Sequence, residues 1–208
     1  MEMLKKYFAM MPLLFLTAMS LVSCSESDDT VEEYPDWKKT NTAYFNNLYA
    51  TAKAAIESGD TSWKIFSKWS ASAAGEDKTY SPEDCIVVKV LENGTGSGCP
   101  IYNDNVWVHY QGRLLPSTSY AEGYVFDQSY YGTFNENTAV ATELAVSGTV
   151  EGFATALQNM HIGDHWQVYI PYQLGYDDST SNTSIPAYSL LIFDIRLVAY
   201  ARTDADVS

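Results

Sequence analysis

The sequence predicts an α+β fold: an antiparallel sheet packed on one short helix, with a helical extension on its N-terminal side. Three observations predict it. Between about residues 80 and 200, several stretches carry the alternation or β-branched content of strands. Only one stretch there, Val150 to Gly163, changes to a helical period, with Phe153, Leu157 and Met160 falling together before Gly163 supplies a stop. Upstream, Trp37, Tyr44, Leu48, Ala52 and Ile56 recur near helical spacing. Many strands with one helix imply a sheet covered by that helix.

The chain opens with Lys5 and Lys6 ahead of an apolar run from Tyr7 to Ala18, then Leu21-Val22-Ser23-Cys24. Residues 1–23 read as a secretory signal peptide, since the run is too short to span a bilayer. Leu-Val-Ser-Cys looks like a lipobox, which predicts cleavage before Cys24, lipidation of that cysteine and membrane attachment through it. The expected location is the cell envelope, at the outer membrane, on its periplasmic or its exposed face. Residues 24–34 form an acidic tether, with Glu26, Asp28, Asp29, Glu32 and Glu33, and no apolar period to order it. It resembles acidic signals that route lipoproteins to the surface of some Gram-negative bacteria; a solvated spacer accounts for it equally well.

Residues 35–79 are the helical extension. Pro35 and Asp36 open the first helix, which runs to Gly59, and Trp63, Phe66 and Trp69 suggest a second short one before a Ser70–Gly75 linker. The body spans 80–202 and is followed by a tail, 203–208. Its strands are Cys85–Leu91, leaving through Asn93-Gly94; Val106–Leu114, with Val106, Val108 and Tyr110 on one face and Trp107, His109 and Gln111 on the other; Tyr124–Asp127; His165–Pro171; and Leu190–Ala199.

A formal charge of −14 over 208 residues, without a Lys/Arg run, argues against nucleic acid as a partner. Loss of a signal carrying Glu2, Lys5 and Lys6 would leave −15. No cofactor is expected. His161 and His165 stand four apart, but Gly163 ends the helix between them, so they do not form a helical zinc pair. Gly94-x-Gly96-x-Gly98 lacks the strand-to-helix context of a nucleotide loop and reads as a flexible turn. His109 reads as a hydrogen-bonded structural residue. Cys85 and Cys99 have two open readings, a disulfide across the Asn93-Gly94 turn or two buried free thiols.

Val106-Trp107-Val108-His109-Tyr110-Gln111-Gly112-Arg113-Leu114 resembles the first signature strand of FKBP-type peptidyl-prolyl cis-trans isomerases. Val125-Phe126-Asp127-Gln128-Ser129 resembles the Phe-Asp-x-Ser segment that follows it. Gly152-Phe153 through Gly163-Asp164 looks like the family helix and its exit, Ile170-Pro171-Tyr172-Gln173-Leu174-Gly175-Tyr176 like the strand and loop bearing the pocket tyrosine, and Ile185-Pro186 with Leu191-Ile192-Phe193-Asp194 like the closing elements. Five matches in family order make coincidence a poor explanation.

The resemblance implies an FKBP-like antiparallel sheet half-wrapped around one short helix, prolyl isomerase activity on proline-containing protein segments outside the cytoplasm, and macrolide FKBP ligands. It implies a pocket of Tyr110, Phe126, Asp127, Val150, Phe153, Tyr176, Ile185 and Phe193. Of these, Phe126, Phe153, Ile185 and Phe193 would hold the proline ring, the Val150 N–H and Tyr176 hydroxyl would hold substrate carbonyls, and Asp127 with Tyr110 would form a polar wall. Three departures stand out: Phe153 where tryptophan is usual, Leu144 where an aromatic is common, and Asp177 where glycine usually follows the pocket tyrosine. Leu115–Gly123 and Tyr130–Glu143 are also long for the family, which predicts a remodelled rim. These departures motivate a second reading, a non-catalytic FKBP-fold module on the cell envelope that binds a protein segment or a glycan.

Overall fold

The computed structural model describes residues 32–74 and 80–203. The signal segment, Cys24, residues 25–31 of the tether and Gly75 lie outside the described residues. Helix α1 (Trp37–Glu57) leads to strand β1 (Trp63–Ser67), then β2 (Cys85–Glu92), β3 (Asn105–Arg113), β4 (Val125–Gln128), β5 (Thr142–Ala145), helix α2 (Glu151–Leu157), β6 (His165–Ile170) and β7 (Leu191–Ala201). All strands join one sheet in the order β1-β2-β6-β7-β3-β4, with β5 also on β3. Every pairing is antiparallel. Among the described residues no helix is long and apolar enough to cross a membrane.

The core follows from which strands are covered. In β2, Ile86, Val87 and Val88 are all fully buried. Successive strand residues point to opposite faces, so both faces of β2 are covered; α1 and α2 both contact this strand. β3 alternates instead, burying Val106, Val108 and Tyr110, and pairs along its whole length with β7, from Asn105 opposite Ala201 to Arg113 opposite Ile192. Helix α2 lies close against β6 because Gly152 has no side chain there: a Cβ would stand 2.3 Å from Ile170 Cγ2.

Several expectations are corrected by the structure. Trp63–Ser67 is a strand, not a second helix; it pairs with β2, Trp63 opposite Lys89 and Ser67 opposite Cys85. Aromatic residues three apart fit a helical period, yet Trp63, Ile65 and Phe66 are also good strand formers, and an available sheet edge decides the outcome. The segment after it, Trp69–Ala74, is a 3-10 helix where a linker was expected. Helix α1 turns a shifted face inward: Trp37 and Ala52 are buried and Leu48 packs on the core as predicted, but Asn41 and Phe45 are buried as well, whereas Tyr44 and Ile56 are exposed. Helix α2 closes at Leu157, and residues 158–163 continue as turns.

The end of the acidic tether is docked rather than free. The Glu33 carboxylate accepts hydrogen bonds from Ser117 Oγ, from the Ser119 N–H at 2.8 Å and from Ser119 Oγ at 2.6 Å, and these lower its pKa. Tyr34 packs on Trp37 with ring centroids 4.7 Å apart. The glycine segment after β2 is packed too. A Cβ on Gly94 would lie 2.3 Å from the Ile162 carbonyl oxygen, and the Gly94 N–H donates to Asp164 Oδ1 at 2.7 Å.

This path separates the thiols. Cys85 and Cys99 are free. Cys85 begins β2, whereas Cys99 lies beyond its other end, with its sulfur 3.8 Å from His161 Nε2. The strand between them is roughly 23 Å long at about 3.3 Å per residue, and a disulfide needs Cα atoms within about 7 Å. No hairpin forms at Asn93-Gly94, because β2 takes β1 and β6 as its neighbours.

Candidate active site

The centre of β3 positions the site. Gly112 lies opposite Asp127 of β4 and Phe193 of β7. A Cβ on it would meet both Phe126 Cζ and Phe193 Cε1 at 2.6 Å, so only glycine lets these rings close over the strand. Phe126 and Phe193 then meet edge to face, 5.4 Å between centroids. Phe193 meets Phe153 of α2 at 4.9 Å, and Tyr110 meets Phe153 at 5.9 Å, both again edge to face. In this arrangement the positive edge of one ring faces the negative face of the next.

Above the rings is an open cavity of about 330 Å³, lined by Tyr110, Asp127, Leu144, Gly148, Thr149, Val150, Phe153, Tyr176 and Phe193. Six of the eight residues named from the sequence therefore share one cavity. Phe126 does not line it and reaches it only through its ring contact with Phe193. Ile185 is buried in the connection before β7 and is not on the lining either. Phe153 is 3% exposed, seated in the core beneath the cavity.

The polar side is built from β3 and β4. Tyr110 donates its hydroxyl to Asp127 Oδ2 at 2.9 Å, while Asp127 Oδ1 accepts the Gln128 N–H at 2.9 Å. Burial first, and then this bond to Asp127, push the Tyr110 phenol well above its ordinary pKa. Ser129 fixes the strand behind it: the Tyr110 N–H donates to Ser129 Oγ at 2.8 Å, and the Ser129 N–H donates to the Tyr110 carbonyl at 2.9 Å. Tyr176, 40% exposed, is raised by burial and by the nearby Asp127. Val150 caps α2 in an extended conformation, and its N–H has no hydrogen-bond partner among the described residues. The site thus combines an aromatic floor, a hydrogen-bonded phenol–carboxylate wall, a phenol at the mouth and an unpaired backbone donor.

Neither long connection supplies a lining residue. Residues 115–123 hold Glu33. The 130–143 connection crosses to the opposite face of β3, where Phe134 packs edge to face on His109 at 5.0 Å and lies 4.7 Å beneath the Arg196 guanidinium. His109 is accordingly buried by a ring and, contrary to expectation, makes no side-chain hydrogen bond among the described residues; its Nδ1 is buried without a partner there. Burial lowers its pKa, with Arg196 adding to the effect. Gly112 and Ser129 are structural determinants whose roles sequence reasoning missed, although both stand inside the quoted motifs.

Residues 99–198 match the family model of FKBP-type peptidyl-prolyl cis-trans isomerases. The chain is 33% identical over 127 residues to a macrophage infectivity potentiator of Trypanosoma cruzi, covering 61% of this chain and 58% of that protein. It is 30% identical over 131 residues to the FKBP-type 22 kDa peptidyl-prolyl cis-trans isomerase of Escherichia coli, covering 63% and 57%. Among solved structures, a peptidyl-prolyl cis-trans isomerase from Pseudomonas syringae aligns with a TM-score of 0.53 at 23% identity, over 79% of this chain and 96% of that one. At that identity the likeness speaks for the fold. Residues 99–198 therefore carry an FKBP-type domain, and the aligned region spans a little over half the length of these curated relatives.

Proposed function

We propose that the chain is a lipid-anchored prolyl isomerase that assists the folding of proteins outside the cytoplasm. The observation that carries this reading is the cavity itself: Phe153 and Phe193 below, the Tyr110–Asp127 pair at one side, Tyr176 at the mouth, and an unpaired Val150 N–H. The barrier to imide rotation, about 18–20 kcal/mol, comes from resonance that places charge on the carbonyl oxygen. An apolar floor takes the proline ring and removes the water that stabilises the charge-separated planar form. The twisted imide loses that resonance, so desolvation favours it relative to the planar ground state. Val150 and Tyr176 hold flanking carbonyls, and Ile185 and Phe126 support the enclosure from behind its lining. No nucleophile or proton transfer is required.

The lipobox-like Leu21-Val22-Ser23-Cys24 supports attachment through lipidated Cys24 to the outer membrane. The client is a proline-containing protein segment, and macrolide FKBP ligands compete for the same cavity. The test is a protease-independent isomerisation assay on the detergent-solubilised full chain, with and without a macrolide. Macrolide-sensitive turnover supports the reading. A folded chain that binds proline peptides without turnover favours instead a non-catalytic binding module.

A further inference from the structure

We infer that helix α1 is a clamp on the loop carrying Tyr176, and that Trp37 and Asn41 are positioning residues for the proline pocket; this rests on the isomerase reading. The loop runs from Pro171 to Leu190 and supplies Tyr176 to the cavity. It contains two non-glycine residues in the left-handed region, Asp177 at φ 52° and Tyr188 at φ 64°. Such a conformation is unfavourable for a bulky residue and persists only when its surroundings hold it. The two are tied to each other, the Tyr188 N–H donating to the Asp177 carbonyl at 2.8 Å, and the Asp177 N–H donates to the Tyr172 carbonyl at 2.8 Å.

What holds the far side of this loop comes from α1. Trp37 Nε1 donates to Ser189 Oγ at 2.8 Å, and Ser189 Oγ donates in turn to the Pro186 carbonyl at 2.6 Å, next to Ile185. Asn41, 1% exposed, accepts the Leu190 N–H at 2.8 Å and returns its own amide to the Trp37 carbonyl at 2.7 Å. Lys38 lies 4.3 Å from the Tyr188 ring centroid, and Tyr188 meets Tyr172 edge to face at 5.3 Å. A polar side chain this buried, spent on two backbone groups more than a hundred residues apart in sequence, fixes geometry rather than adding apolar burial. The clamp therefore grips the loop at Tyr188, Ser189 and Leu190, and through the Tyr188–Asp177 bond its effect reaches the residue beside Tyr176.

The experiment uses the full chain with Trp37→Phe, which keeps a ring but removes the donor, and Asn41→Leu, which removes both bonds. Ala52→Gly, buried in the same helix and away from these bonds, is the control for general weakening of α1. Two readouts are taken: kcat and KM for prolyl peptides, and amide exchange at Asp177 and Tyr188, whose own bond partners are untouched by any of the substitutions. Trp37→Phe and Asn41→Leu are expected to lower kcat roughly 2- to 30-fold, the span of coupling through packed networks, and to speed exchange at both amides, while Ala52→Gly changes neither. Unchanged exchange in the two clamp variants, or an equal change in Ala52→Gly, overturns the clamp. A parent chain without turnover sinks the isomerase reading and with it the catalytic role, and the exchange data then decide whether α1 holds the loop.

Discussion

Replacing Phe153 with tryptophan tests the floor of the pocket most directly. Phe153 is closed in from the side by Phe193 at 4.9 Å and Tyr110 at 5.9 Å, but it also faces a cavity of about 330 Å³ into which a larger ring can grow. An indole offers on the order of 40 Å² more surface than a phenyl ring. At about 25 cal/mol per Å² that is roughly 1 kcal/mol of added contact with a proline ring, or about fivefold if expressed in the transition state. Phe153→Trp should therefore raise kcat/KM and macrolide affinity several-fold. Phe153→Leu, close in volume and costing under about 1.5 kcal/mol of stability, should lower both while the fold persists. Isomerisation kinetics, macrolide titration and thermal denaturation on the same preparations separate site effects from folding. If the leucine variant, folded and with a parental melting temperature, turned over proline peptides like the parent, Phe153 would not lie under the proline and the assignment of α2 to the pocket floor would fail.

Gly112→Ala should destabilise the domain by about 1–3 kcal/mol through overpacking, because its new methyl meets two pocket rings at 2.6 Å; an unchanged urea midpoint would show that the rings are not held so close. Stability should fall at high pH: burial raises the Cys85 thiol from its ordinary 9.0 to about 11 and the Tyr169 phenol from 10.0 to about 12. The unfolded chain loses these protons first, so their contribution is complete below about pH 9 and is lost as pH rises through 11–12. Urea midpoints across that range measure this, and Tyr169→Phe should flatten the upper part; a decline already present between pH 7 and 8 would point to other groups. Under native conditions, alkylation of the unreduced protein should label Cys99 readily and Cys85 only slowly, since Cys85 is 4% exposed. Mass spectrometry showing the two joined would contradict the fold around β2.

Much of the body was legible because its signals are local. Alternation in Val106–Leu114 and in Leu190–Ala199 marks strands that each keep one face buried along most of their length, so both appear within a residue or two of their predicted bounds. Pocket residues were legible for a different reason: Tyr110, Asp127, Val150, Phe153, Tyr176 and Phe193 come from motifs whose order fixes the family fold, and that fold brings them together. What was not legible depends on distant partners. Trp63–Ser67 is compatible with either helix or strand until β2 offers an edge. Asn41 looks like a solvent residue of α1 until its partner Leu190, 149 positions away, is placed beside it. Thr142–Ala145 is too short to declare itself as a strand and is fixed by pairing with Asn105–Val108.

The departures from the family pattern fall into two kinds once the geometry is known. Phe153 and Leu144 lie on the cavity, where they change the depth and width of an apolar surface without introducing charge. Asp177 acts on the backbone. At φ 52° it occupies the conformation for which glycine is best suited, and among other residues aspartate and asparagine tolerate it best. The family glycine is thus replaced by a residue that keeps the turn at a small cost, and the neighbouring Tyr188 adds a second such cost in the same loop. A loop carrying two left-handed side-chain-bearing residues needs external support, and α1 supplies it through Trp37, Lys38 and Asn41. The long connections follow the same logic: 115–123 receives Glu33 and 130–143 seals His109 beneath Phe134, so each extra length is used away from the mouth of the pocket. The apolar floor and the Tyr110–Asp127 pair are left lining an open cavity, while the additions to the chain hold the domain around them.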